Sequence, residues 1–159
     1  ISEDDVADPF SCSYVKELAA VAEIEKAQLI TVCSKMEEEM SSLEDDEKKE
    51  FLAELGIQES GLDQLITASY STLGLISFLT AGPKEVRAWP IRSGTKAPGA
   101  AGKIHSDFER GFIRAEIVSF ADLMECGSYT AAKEKGLVRS EGKEYIMKDG
   151  DVTLFRFNV

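Results

Sequence analysis

The one histidine of the chain, His105, stands in the stretch AAGKIHSDFERGFIRAE (residues 100–116), followed by Asp107, Glu109 and Arg110 with Phe108 and Phe112 between them. An imidazole close to a carboxylate takes up and returns protons near neutral pH, so an acid–base centre is the first chemistry to test. Such a centre needs a nucleophile or a metal to act on, and the sequence holds no GxSxG and no HExxH pattern. Cys12, Cys33 and Cys126 are widely spaced, form no CxxC pair, and cannot complete a familiar zinc set with one histidine. They read as structural or incidental thiols of a reducing compartment. A phosphate loop of the form GxxxxGK[ST] is also missing: Gly56–Gly61 and Gly94–Gly99 have the glycine interval but lack the Lys-Ser/Thr that follows it. The acid run Glu44–Glu47 has the spacing of a solvated helix start rather than of a metal site. No catalytic residue and no metal ligand is therefore assigned. His105 reads as a surface or partner-docking residue, and on a helix Glu109, four positions on, would share its face.

The elements that would carry these residues change character near position 75. In the first part, Ser13–Ala27 places Val15, Leu18, Ala19 and Ala22 on one helical face, with Pro9 upstream and Ser13 as cap. Gln28–Cys33 (QLITVC) is a short β-rich run that reads as a buried strand. Ser42–Gly56 predicts a helix with Ser42 as N-cap, acids in its first turn and Gly56 as its stop. Glu59–Leu75 predicts another, aligning Leu62, Leu65, Ile66 and Tyr70. From Ile76 onward strands dominate. ISFLTAG and EVRAWPIRSG flank Gly82-Pro83-Lys84, the signature of a hairpin turn. Ala97–Gly111 reads as one helix with Pro98 in its first turn and Gly111 at its end. Phe112–Phe120 alternates as a strand, Ala121–Gly136 is helical, and KEYIMKDGDVTLFRFNV gives two strands around Asp149-Gly150. Gly94, Gly111 and Gly150 occupy turns or helix ends where positive φ is often needed. The order ββ-α-β-α-ββ describes a small mixed sheet wrapped on one helix.

Charge divides at the same place. Residues 1–75 carry 5 Lys+Arg against 18 Asp+Glu, and residues 76–159 carry 13 against 11, so a net −13 and a net +2 make up the total of −11. Overall acidity argues against nucleic acid as a partner, yet the near-neutral second part escapes that objection. With 43% hydrophobic and 30% charged residues the chain can build packed cores. No apolar run approaches the roughly 20 residues that span a bilayer. The acidic start ISEDDVADPF resembles neither a secretory signal nor a transit peptide, and a first residue other than Met suggests a piece or a processed product.

Two blocks of the second part, FLTAGPKEVRAWPIRSGTKAPGAAGKIHSDFERGFIRAEIVSFADL and the C-terminal EGKEYIMKDGDVTLFRFNV, closely resemble the end of the YchF/Obg-like P-loop ATPases. That end is a TGS domain, a β-grasp module, so the resemblance implies an α+β fold. Residues 76–159 would form the TGS domain, preceded in 1–75 by a mostly helical α/β remnant of a P-loop nucleotide-binding domain. ISEDD looks like the tail of the family's NxxE base-reading motif, with Glu3 as its Glu, and VCSK matches a later base-contacting loop. By resemblance Glu3, Cys33, Ser34 and Lys35 would lie beside the nucleotide base in the intact protein. The family's phosphate loop, switch regions and Mg²⁺ ligands precede these motifs. The parent would be an ATPase that also hydrolyses GTP with Mg²⁺, while this stretch alone would hold no cofactor and be inactive. Its Gln28–Cys33 strand would lack sheet neighbours.

The family's association with ribosomes makes a ribosome or RNA the expected partner, in the cytoplasm or a plastid stroma. Arg87, Arg92, Lys96, Lys103, His105, Arg110 and Arg114 are the candidate contacts to RNA phosphates or a protein partner. Trp89, Phe108 and Phe112 would either stack on bases or fill the core. The alternative is an intramolecular regulator that packs on the ATPase domain of the same protein and touches no RNA.

Overall fold

The computed structural model describes residues 1–82 and 85–158, which form two compact units, Ile1–Thr72 and Leu73–Val159. Pro83 and Lys84 of the expected hairpin turn lie outside the described residues.

The first unit is helical: α1 (Ser13–Glu25), α2 (Ser34–Ser41), α3 (Asp45–Glu54) and α4 (Gly61–Leu73) follow two short 3-10 turns. Sequence reasoning missed α2, although Met36 and Met40, one turn apart, are the residues it buries. With Cys33 they form a small core against Val6, Phe51, Leu52, Leu55 and Ile57. Ser42 does not cap α3. Glu44 does, through a capping box in which the Glu47 carboxylate receives the Glu44 N–H at 2.9 Å. Nor does Ser13 cap α1, whose N-cap is Cys12. The expected strand at Gln28–Cys33 does not form. A strand satisfies its N–H and C=O groups only through a neighbouring ladder, and this unit offers none. The apolar rows read from α1 and α4 are real, but of the first only Val15 is buried, while Leu18, Leu62, Leu65 and Ile66 are exposed.

The second unit is an α+β fold of the β-grasp type. Its strands are β1 (Leu75–Ala81), β2 (Val86–Arg92), β3 (Phe112–Ser119), β4 (Arg139–Glu141) and β5 (Asp151–Phe157), in the spatial order β2-β1-β5-β3-β4. The sheet is mixed, because β1 runs parallel to β5 while the other pairs are antiparallel. Helix α5 (Ala97–Ile104) lies on one face, burying Ala97, Ala100 and Ala101 completely against Phe78, Ile91, Ala115, Ile117 and Phe155. Three alanines at the contact let the helix axis approach the sheet closely, and the rings of the strands fill the remaining space. Phe112 is core, Trp89 and Phe108 pack against it, and Phe108 stacks on Phe157 with centroids 3.8 Å apart. The other face is covered in part by α7 (Phe120–Cys126) and α8 (Tyr129–Glu134), around Val118, Ala132 and Val152.

Four expectations change here. The helix 97–111 is broken: His105 has an extended backbone (φ −158°, ψ 142°) and starts a separate short helix, α6 (Ser106–Arg110). His105 therefore does not share a helical face with Glu109. The helix expected over 121–136 is also two, divided at Gly127, with Ser119 and Ser128 as separate N-caps. Residues 143–147 make no strand beyond an isolated bridge between Ile146 and Lys96, because their main chain is tied to the start of α5. There the Ala97 N–H donates to Tyr145 and the Met147 N–H to Thr95, both at 2.9 Å. The fourth strand is instead Arg139–Glu141. Gly94 and Gly150 have the expected positive φ, whereas Gly111 does not. A Cβ on Gly111 would lie 2.1 Å from the Asn158 carbonyl oxygen, so close approach of two backbones excludes a side chain there.

Candidate functional site

The four residues matched to a base-contacting role sit at the start of the first unit and of α2. The Lys35 ammonium donates to the Glu3 carboxylate at 2.9 Å, and that bond holds the Lys35 pKa above its ordinary value. Cys33 is the N-cap of α2 and is buried in the small methionine core, while Ser34 and Lys35 are exposed. A hollow of about 520 Å³ opens between Val6, Phe10, Leu29, Cys33 and Met36, but Glu3, Ser34 and Lys35 do not line it. Of these residues, Glu3 and Lys35 form one ion pair, and Ser34 stands exposed at the first position of α2. Nothing in the sequence offers the glycine-rich amide cradle and lysine that phosphates require. Among the described residues no group of three or more His, Cys, Asp or Glu is arranged to hold a metal ion.

The seven candidate contacts of the second unit do not form one patch. Strand alternation places Arg87 on the α5 side of the sheet, where its guanidinium lies 4.1 Å from the Trp89 ring centroid and 3.9 Å from Glu85. Trp89 is held in turn by a bond from its indole N–H to the Thr80 hydroxyl at 2.9 Å. Arg92 ends β2 and is exposed. Lys96 precedes α5 and pairs with Glu144 at 2.6 Å. Lys103, in the last turn of α5, is exposed, and neither it nor Arg92 forms an ion pair among the described residues. His105 and Arg110 come together around Asp107. The His105 Nδ1 accepts the Asp107 N–H at 3.1 Å as the cap of α6, and Arg110 pairs with the Asp107 carboxylate. That gives the ring a structural task at the start of α6.

Arg114 is the least available of the seven. On the outer face of the sheet it meets Glu116 at 3.0 Å, and Arg156, its register partner on β5, meets the same carboxylate at 3.2 Å. The Glu116 side chain is 11% exposed, and the two guanidinium bonds, first from Arg156 and then from Arg114, hold its pKa down at about 2 against the opposing effect of burial. The Tyr129 hydroxyl donates to the same carboxylate at 3.4 Å. Sequence reading missed Arg156, Glu116 and a second knot around buried Asp151. There the Tyr145 hydroxyl donates at 2.9 Å, Arg139 approaches to 3.7 Å, and burial with the Asp151 bond pushes the Tyr145 pKa up to about 12. Alternation along Phe112–Ser119 shows that Arg114 and Glu116 share a face, but a residue from β5 enters only once the strand pairing is known.

Known proteins place this geometry. Residues 75–158 match the family YchF-GTPase_C, described as "Protein of unknown function (DUF933)". A Bacillus subtilis protein named Ribosome-binding ATPase YchF is 59% identical over 159 residues, which is all of this chain and 43% of that protein. A protein of the same name from Escherichia coli O157:H7 is 49% identical over 146 residues, 92% of this chain and 40% of its own length. The solved Schizosaccharomyces pombe YchF GTPase superposes with a TM-score of 0.83 at 34% identity, covering 98% of this chain and 41% of that one. The chain thus spans less than half the length of these relatives. The family match takes in more than half of the chain, which therefore belongs to the YchF-GTPase_C family.

Proposed function

We propose that the chain is part of a ribosome-associated nucleotide hydrolase of the cytoplasm, and that its second unit is an RNA- or ribosome-facing binding module. In the whole protein Glu3, Cys33, Ser34 and Lys35 would lie toward the base of ATP or GTP, while other parts of the protein hold the phosphates and Mg²⁺. The reading draws on the ribosome-binding name that relatives carry. The observation that carries it on this chain is the pair Arg92 and Lys103, exposed cations that no carboxylate neutralises among the described residues. A free surface cation can replace the counterions of a phosphate, whereas one locked to a buried carboxylate cannot do so without leaving that carboxylate unpaired.

Cosedimentation of the 159-residue chain with ribosomes over a graded salt series tests this. Binding is expected to weaken steeply with salt, and the double variant Arg92→Glu/Lys103→Glu to lose about tenfold or more in affinity. Salt-insensitive binding, or binding that the double variant leaves intact, would refute the proposal.

A further inference from the structure

A groove of about 360 Å³ lies on the outer face of the sheet, between β5 and the turn joining α7 to α8. Leu123, Met124, Val152 and Leu154 give it apolar walls, with Tyr129 and Ser128 at the rim. Two of those apolar side chains stand open, Met124 at 61% and Leu154 at 42% exposure. The groove arises from the strand layout: β1 and β5 are registered at Leu79↔Val152, and Ala81, farther along β1, forms the opposite lip. Its volume falls at the lower end of the ~300–1,000 Å³ range of specific binding sites, enough for one or two large side chains.

What lies beside the groove decides what fits it. Glu116 opposes Leu154 across the β3–β5 register, and the Tyr129 hydroxyl reaches it from the groove wall. Behind it Arg114 and Arg156 share that single carboxylate, and each guanidinium side chain is half exposed, at 52% and 50%. Two cations against one anion leave a surplus positive charge at one end of an apolar trough. Asp122, an acid of the adjacent helix, is taken up by the Ser119 hydroxyl at 2.5 Å. RNA suits this place poorly, because the walls are mainly aliphatic and a phosphate laid against them costs binding energy.

We propose that this groove binds an acidic peptide segment through a hydrophobic anchor residue, Leu or Phe, seated between Met124 and Leu154, with a neighbouring carboxylate on Arg114 and Arg156. That carboxylate accepts from the N–H groups of Arg114 and Arg156 that Glu116 does not take, so that Glu116 keeps both partners. The anchor removes the exposed Met124 and Leu154 surface from water, and the carboxylate completes the two-to-one charge imbalance. This surface is separate from Arg92 and Lys103, so its occupancy and ribosome binding can fail independently.

The ¹⁵N-labelled 159-residue chain is titrated with the capped peptide acetyl-Glu-Leu-Phe-Glu-Glu-amide, with a version in which each Glu is Lys, and with oligouridylate. The acidic peptide is expected to shift the amides of Leu123, Gly127, Tyr129 and Leu154 saturably. Arg156→Gln should weaken it about fivefold, one charge-assisted contact's worth. Leu154→Asp should abolish the shifts, with Trp89 emission confirming that the sheet is intact. If that strand variant unfolds, Met124→Asp on the helix rim serves in its place. Equal binding of the lysine peptide, shifts confined to other residues, oligouridylate perturbing the same four amides, or an unaffected groove variant would each overturn the proposal.

Discussion

Glu116→Gln is the perturbation that most directly tests how the outer sheet face is built. In the native chain the carboxylate, held at a pKa of about 2, is ionised at neutral pH and accepts from both Arg156 and Arg114. A fall from the ordinary 4.5 to about 2, at roughly 1.4 kcal/mol per tenfold change in proton affinity, corresponds to about 3 kcal/mol. Both arginine side chains are half exposed, so solvent screening reduces this to about 1–2 kcal/mol. The amide also leaves Arg114 and Arg156 directly opposite one another as like charges. The sign follows from the lowered pKa: the contribution is complete above the unfolded value near 4.5 and is lost as pH falls toward 2. Urea unfolding followed by Trp89, the one tryptophan of the chain and a residue of β2, reports on this unit alone. The variant should be less stable than the parent by about 1–2 kcal/mol at pH 7, and roughly a quarter of that gap should remain at pH 2.5. A gap that is the same at both pH values, or absent at pH 7, would refute the assignment of an ionised carboxylate between two guanidinium groups.

Two further substitutions probe the corner that carries His105. Gly111→Ala places a methyl group against the Asn158 carbonyl, and since backbone must move to admit it, a loss of about 2–3 kcal/mol is expected in the same Trp89 assay; a loss below about 0.5 kcal/mol would show that the contact yields freely. His105→Ala removes the acceptor of the Asp107 N–H, so hydrogen exchange at the Asp107 amide should accelerate several-fold at a cost of about 1 kcal/mol, with His105→Asn restoring protection; unchanged exchange in His105→Ala would refute the capping role.

How much of this was legible in the sequence depends on whether a feature is local. The order of a mixed sheet on a central helix followed from strand alternation and from Pro98 at the helix start, because each element carries its own period and breaker, while the β-grasp identity came with the family resemblance. The break at His105 did not, since a histidine ring acting as an N-cap has no strong composition signal. Helix α2 escaped because its apolar face is only two methionines wide and is flanked by glutamates. The strand expected at Gln28–Cys33 shows the opposite error: β-rich composition marks a segment that can pair, while the partner must come from elsewhere in the fold. In the first unit the rows Leu62–Leu65–Ile66 and Val15–Leu18 were read correctly as apolar, yet periodicity names a side of a helix without naming what covers it.

The same distinction governs the charges. Counting gave the second part thirteen cations and eleven anions, which invites the picture of a basic face. The fold spends those charges pairwise: Lys96 on Glu144, Arg110 on Asp107, Arg139 on Glu141 and Asp151, and both Arg114 and Arg156 on Glu116. These pairs are not equal. Glu144 is 86% exposed, so Lys96 can exchange it for a phosphate at little cost, because an exposed pair contributes about 0–1 kcal/mol. Glu116 is enclosed, and moving an arginine away from it strands a carboxylate that water does not reach freely. The β3–β5 register sets this arrangement: it runs unbroken from Arg114↔Arg156 to Ser119↔Asp151, and a bulge between Phe112 and Arg114 offsets only the pair Phe112↔Phe157. In a register slipped by one residue the side chains of β5 would meet β3 from the other face, and the carboxylate of Glu116 would have one guanidinium instead of two. Which cations are free to meet a partner is therefore decided by strand register, a long-range property that charge counting along the chain does not contain.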